Sequence, residues 1–158
     1  MIPYFGHTRH TIKAKHKPIK QGYKVWALGD SGYIFNWLWY SKTEGTESLG
    51  SRSRQNSLAD TQALVISLAK SLLDPAIGYI LYLDNLFTNI PLATALRQLG
   101  IGVIGTTRAN ASGLPLSLVQ LKQAKESLKW GHLETATAEQ AVCFLWQDNA
   151  RVLGMIII

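Results

Sequence analysis

The sequence predicts an α/β fold in which a mixed β-sheet carries helices packed against it. Three observations lead there. Two strand-like, aromatic-rich runs at 23–28 and 33–40 are joined by turn residues. Helical and strand patterns then alternate between 57 and 107. Two apolar runs, at 141–147 and 151–158, flank a short polar joint. An antiparallel hairpin followed by strand–helix–strand alternation gives a sheet of mixed strand direction.

The elements follow in order. Tyr23 to Leu28 reads as a strand, Gly29-Asp30-Ser31-Gly32 as a turn of suitable residue types, and Tyr33 to Tyr40 as a second strand. Alternation puts Tyr33, Phe35, Trp37 and Trp39 on one face. The tryptophans at 26, 37 and 39 read as core, in preference to base-stacking platforms. Ser41 to Asn56 is polar and reads as a loop. Ser57 with Asp60 resembles a capping box, and Leu58, Val65, Leu68, Ala69 and Leu72 fall at helical spacing. Asp74-Pro75 stops that helix. Ile77 to Leu83 is a nearly continuous apolar run, the pattern of a central strand buried on both faces. Asn89 caps a helix with Pro91 in its first turn, a Leu92, Leu96 and Leu99 stripe, and Gly100 at its end. Ile101 to Thr107 is a strand, Ala109 to Gly113 a loop, and Leu114 to Leu128 holds a helix. Ala141 to Gln147 and Arg151 to Ile158 form strands joined at Asp148-Asn149. The last of these is still apolar at Ile158, which reads as a domain truncated within a strand.

Composition narrows the function. The 158 residues are 47% hydrophobic and 16% charged, a globular balance. No stretch approaches the roughly 20 apolar residues of a membrane span, and no secretory signal is visible. Cys143 is the single cysteine, which excludes a disulfide framework and a zinc site of several thiolates. An intracellular protein is expected. The net charge of +6 is concentrated: Arg9, Lys13, Lys15, Lys17, Lys20 and Lys24 lie in residues 1–29 without any acid, and the remaining ten basic and ten acidic residues cancel. Such an arm favours a polyanionic partner, nucleic acid first. A solvated basic loop without a partner is the competing reading.

Asp84 is the candidate for chemistry. It ends the apolar run before Asn85-Leu86-Phe87-Thr88, and an acid at the end of a strand in an open α/β sheet faces the crevice where ligands bind. A carboxylate there suits a hard cation such as Mg²⁺. The plainer alternative is that Asp84 merely caps the following turn or helix. His7, His10 and His16 lie among cations that oppose a metal. Gly100 to Gly105 spells G-x-G-x-x-G but opens a strand, so it is not a dinucleotide fingerprint. Cys143 reads as core. Asp30, Asp60, Asp74 and Asp148 occupy turns or helix starts.

Six segments together resemble the catalytic domain of piggyBac transposases. They are Met1 to Gly6, Lys17 to Trp26, Leu83-Asp84-Asn85-Leu86-Phe87-Thr88, Leu96 to Gly100, Gly105 to Asn110, and Trp146 to Asn149 with Arg151-Val152-Leu153. They occur in the family's order over nearly the whole chain. The resemblance implies a ribonuclease-H-like fold and DNA cutting and joining in transposition, with three aspartates holding two divalent metals, Mg²⁺ being expected. It also implies a nuclear location. Asp84 matches the second aspartate. The first lies in an Asp-Glu pair ahead of the segment matching Met1, and the third beyond the strand ending at Ile158. Neither has a counterpart here, and the family's cysteine-rich module is absent.

The chain is thus expected to be one partial catalytic domain over 1–158, truncated at both ends. It divides into a basic arm at 1–22, sheet and helices at 23–107, and a loop and C-terminal hairpin at 108–158. Paired metals stabilise both the attacking and the leaving oxygen of a phosphodiester, so one carboxylate leaves the chain catalytically incomplete. Two classes follow: a transposase-derived domain whose arm binds DNA, or a non-catalytic relic acting in DNA or protein contacts. No small-molecule substrate is evident.

Overall fold

The cation-rich N-terminal segment is folded, where the sequence suggested a loop. Strands β1 (Ile2–Pro3), β2 (Ile12–Lys13) and β3 (Gln21–Tyr23) form an antiparallel sheet in the order β1–β3–β2. In the computed structural model the described residues are 1–40, 58, 60–72, 74 and 77–158, and they fall into two units, 1–72 and 73–158. The first unit continues into the expected hairpin of β4 (Val25–Asp30) and β5 (Tyr33–Trp39). Ser31 and Gly32 turn it with φ of 50° and 86°. Positive φ at both central positions matches the right-handed twist of the strands, and glycine takes it without steric cost.

Helix α1 (Asp60–Ala69) packs against β4 and β5 and buries Ala63, Leu64, Val65, Leu68 and Ala69. Ser57, the expected capping residue, lies outside the described residues, as does the predicted loop over 41–56. Cross-strand partners share a face. Trp26 pairs with Leu38 and Leu28 with Asn36, and this face is half-buried. Ala27 pairs with Trp37 and Val25 with Trp39 on the other. There Trp37 and Trp39 are 45% and 50% exposed, so they are not the core residues the sequence suggested. Period-2 alternation assigns side chains to faces but does not say which face is covered.

The second unit is a five-stranded sheet in the order β6–β7–β10–β9–β8. Its strands are β6 (Ile80–Leu83), β7 (Gly102–Thr107), β8 (Leu133–Ala138), β9 (Ala141–Gln147) and β10 (Arg151–Ile157). Only β6 and β7 run parallel, joined through α2 (Ile90–Gln98). The other neighbours are antiparallel. This is the mixed sheet the sequence predicts. Asn89 caps α2 as expected, its Oδ1 accepting from the Leu92 N–H at 2.8 Å. Helix α3 (Leu116–Gln123) lies within the expected span.

One face of this sheet forms the core. Val103, Cys143, Leu145, Leu153, Met155 and Ile157 are buried with Leu92 and Leu96 of α2 and Leu118 of α3. Each large apolar side chain so buried stabilises the fold by roughly 1.5–3 kcal/mol before entropy is counted. The opposite face is partly open: Val142 and Trp146 are exposed, and Tyr82 is 78% exposed.

The segment 77–83 corrects the sequence reading. It was expected to be a central strand buried on both faces. Instead β6 is four residues long and stands at the sheet edge, with Leu81 buried but Ile77, Ile80 and Tyr82 exposed. A run of apolar residues signals burial and cannot specify strand order.

Candidate catalytic carboxylate and nucleic-acid interface

Parallel pairing brings the C-terminal ends of β6 and β7 side by side, with Leu83 opposite Gly105. Asp84 follows β6 and is exposed. Its Oδ1 accepts from the Asn85 N–H at 2.6 Å. Its backbone carbonyl accepts from the N–H groups of Phe87 and Thr88 at 3.0 and 3.2 Å, and from the Thr88 hydroxyl at 2.9 Å. The residue therefore organises the turn, as the plainer alternative anticipated, and holds a carboxylate at the strand end as well.

Two features fix this corner. A Cβ on Gly105 would lie 2.6 Å from both the Leu83 carbonyl and the Thr88 hydroxyl, so only glycine allows the strands this approach. Arg108, just past β7, donates from Nε to Asn85 Oδ1 at 3.2 Å. Arg108 and Asn85 lie in two of the segments that resemble the family, where the sequence assigned them no role. Their signal in the sequence was position alone, each one residue beyond the end of its strand or the candidate acid.

The corner offers one carboxylate, one amide and one cation. Among the described residues no three His, Cys, Asp or Glu side chains come together as metal ligands. These residues do not by themselves fit a two-metal centre.

The candidate phosphate contacts lie in the first unit. Lys13 is in β2, and Lys15, Lys17 and Lys20 lie in the connection to β3, where Ala14 N–H donates to the Lys20 carbonyl at 2.8 Å. These four and Arg9 are exposed. Arg9 donates from Nε to His10 Nε2 at 3.1 Å. Lys24 differs: its ammonium lies 3.7 Å from the Trp26 ring centroid and 5.1 Å from that of Tyr40. Burial, and then the Lys17 charge, hold it below the ordinary lysine range. Asp84 lies in the other unit.

The remaining groups behave as core or turn. Cys143 is fully buried, and burial pushes its thiol up. Asp30 accepts from the Ser31 hydroxyl at 3.0 Å in the hairpin turn. Gly102 and Gly105 lie within β7, so the glycine-rich run there belongs to a strand. Among the described residues no helix is long and apolar enough to cross a membrane.

Comparison with known proteins bears on this arrangement. A family model described as Transposase IS4 matches residues 1–158. Human PiggyBac transposable element-derived protein 2 is 28% identical over 158 residues, covering 96% of this chain and 25% of its own length. Human PiggyBac transposable element-derived protein 3 is 31% identical over 112 residues, covering 68% of this chain and 18% of its own. The chain thus spans a quarter or less of these relatives. A cryo-EM structure of a piggyBac transposase synaptic complex with hairpin DNA is similar in fold, with a TM-score of 0.74 at 22% identity, over 97% of this chain and 30% of that one.

Proposed function

The chain belongs to the transposase family described as Transposase IS4 and is a piggyBac transposase-like domain, and on that ground we propose that it engages DNA. In this reading the exposed cations Arg9, Lys13, Lys15, Lys17 and Lys20 meet the phosphate backbone, with Lys24 adding charge at their inner end. Asp84 is one carboxylate of a site that cuts and rejoins DNA. Residues 1–158 then form part of one catalytic domain, comprising the arm, the sheet with its helices, and the C-terminal hairpin region, and the protein acts in the nucleus.

The observation that carries the reading is the position of Asp84 at the paired ends of two parallel strands, where open α/β sheets bind ligands. Transposases of this family use divalent metal ions. Mg²⁺ suits an oxygen donor such as Asp84. One carboxylate does not assemble a two-metal centre, so the 158-residue chain alone neither nicks nor joins DNA.

Two measurements test this. With Mg²⁺ or Mn²⁺ and DNA carrying transposon ends, the chain should leave strands intact; cleavage that disappears in Asp84→Ala would overturn the incomplete site. In a binding titration, about three phosphate contacts give a slope of log K against log salt near −3. Changing Lys13, Lys15 and Lys17 to Ala should flatten it, and Asp84→Ala should not. Equal slopes for the wild type and the triple variant would remove the arm as the contact. No retention even at about 50 mM salt, where such contacts are strong, would favour a protein-interaction role.

A further inference from the structure

We propose that a ladder of aromatic rings in the first unit is a docking surface for the unpaired bases of single-stranded DNA. The proposal rests on the DNA reading above and adds a second kind of contact to it. The rings run from the N-terminal segment across β3 onto β5. Tyr4 and Tyr23 have centroids 5.0 Å apart, Tyr23 and Trp39 5.5 Å, and Trp39 and Trp37 4.9 Å. Tyr23 is half-buried within the ladder, Tyr4 is 38% exposed, and the two tryptophans are the exposed ones described above. A contiguous apolar surface of this kind marks an interaction site more often than a single exposed ring does.

Charge selects the occupant. The ladder lies within residues 1–40, which hold six cations and one acid, Asp30 at the hairpin turn. Lys13 lies on β2, which pairs directly with the Tyr23-bearing strand, and Lys20 immediately precedes that strand. A second copy of the chain would bring two such segments together, each with six cations against the single acid Asp30, and like charge opposes that. The complementary partner is an anion that also carries π-faces. Single-stranded nucleic acid has both: phosphates for the lysines and bases that stack on aromatic side chains whatever their sequence. A duplex hides its base faces within its own stack and offers the ladder only an end.

Ring geometry limits the footprint. Tyr23 and Trp39 cross at 77°, and Trp37 and Trp39 at 89°. In a crossed pair one ring presents its face and the other its edge. Alternate rings therefore serve as platforms, which gives room for about two bases. Same-face residues of a strand repeat about every 6.8 Å, comparable to the span of one extended nucleotide.

The test uses the whole 158-residue chain, a labelled thymidine oligonucleotide of about ten nucleotides, within the usual site size of single-strand binders, and a duplex of the same length. Single strands should quench tryptophan emission and duplex should not. Changing Trp37 and Trp39 together to Ala should weaken single-strand binding roughly tenfold while the salt slope stays as in the wild type. Changing both to Phe keeps the rings and should hold affinity within about threefold. Should circular dichroism show the Ala double variant unfolded, Tyr4→Ala decides instead, with an expected loss of about threefold. Equal quenching by duplex overturns the proposal, as does a folded ladder variant that binds like the wild type. So does a dimer in sedimentation whose emission no oligonucleotide quenches, which would assign the face to a second copy. The arm variant separates the two ideas. An unchanged salt slope in the Lys13, Lys15 and Lys17 triple variant with quenching intact removes the phosphate reading and leaves the ladder standing.

Discussion

Arg108 donates from Nε to Asn85 Oδ1 at 3.2 Å across 23 residues of sequence. The bond ties the residue after β7 to the one after Asp84, and so spans the ends of both parallel strands. Both partners are exposed, so Arg108→Ala should lower stability by less than about 1 kcal/mol, because water replaces the lost partner. The local effect should be larger. Amide exchange at Asn85 to Thr88 should quicken while exchange in β9 and β10 stays unchanged. Equal protection in both chains would show that the bond does not hold the turn.

Gly105→Ala should be costly although it adds a single methyl. The new Cβ meets the Leu83 carbonyl and the Thr88 hydroxyl, neither of which can move without disturbing the β6–β7 pairing or the Asp84 turn. Overpacking of this kind costs about 1–3 kcal/mol. Urea unfolding of the two chains measures it, and a midpoint equal to the wild type would mean that β6 shifts freely.

Arg151→Lys should not be conservative. The Arg151 guanidinium donates from Nη1 to the Leu121 carbonyl at 2.6 Å and to the Ala124 carbonyl, and from Nη2 to the Glu126 carbonyl. It thereby adds a donor to the Leu121 carbonyl, which also accepts from the Ala124 N–H at 3.4 Å, and bonds the Ala124 and Glu126 carbonyls beyond the end of α3. A lysine keeps the charge but loses the planar fork, and a loss of about 1–2 kcal/mol is expected, as for charge-assisted bonds. Thermal unfolding of the Lys and Ala variants should rank wild type, then Lys, then Ala.

Cys143 gives a pH dependence whose sign is set by burial. Its folded pKa is raised, because the apolar surroundings disfavour the thiolate. The unfolded chain therefore releases this proton first. The contribution to stability is complete below the unfolded thiol value, about 8.5, and declines as pH rises above it through the folded value. Cys143→Ala should reduce that alkaline decline while opening a small cavity. A thiol reagent at neutral pH should react at the rate of unfolding; fast reaction with the native chain would contradict the burial.

The local features of this protein were legible in its sequence. The Ser31-Gly32 turn, the Asn89 cap, the strands on either side of Asp148-Asn149 and the buried Cys143 each depend on residues close together along the chain. Turn dihedrals, capping bonds and alternating apolar residues are set by such neighbours, so pattern was enough. β8 was missed because Leu133–Ala138, Leu-Glu-Thr-Ala-Thr-Ala, buries little of itself. The N-terminal strands were missed because two or three residues carry no period, and cross-strand pairing alone defines them.

Sequence alone determined a mixed α/β fold with its cations gathered at one end, because composition and periodicity are properties of the chain in order. Only tertiary structure decided that β6 stands at an edge, that Trp37 and Trp39 face outward, and that Arg108 reaches Asn85. Each of these depends on which distant segment lies alongside. An apolar run is drawn equally to any apolar surface, so hydrophobicity commits a strand to a sheet without ordering the sheet. Backbone pairing and close approaches such as that at Gly105 supply the order.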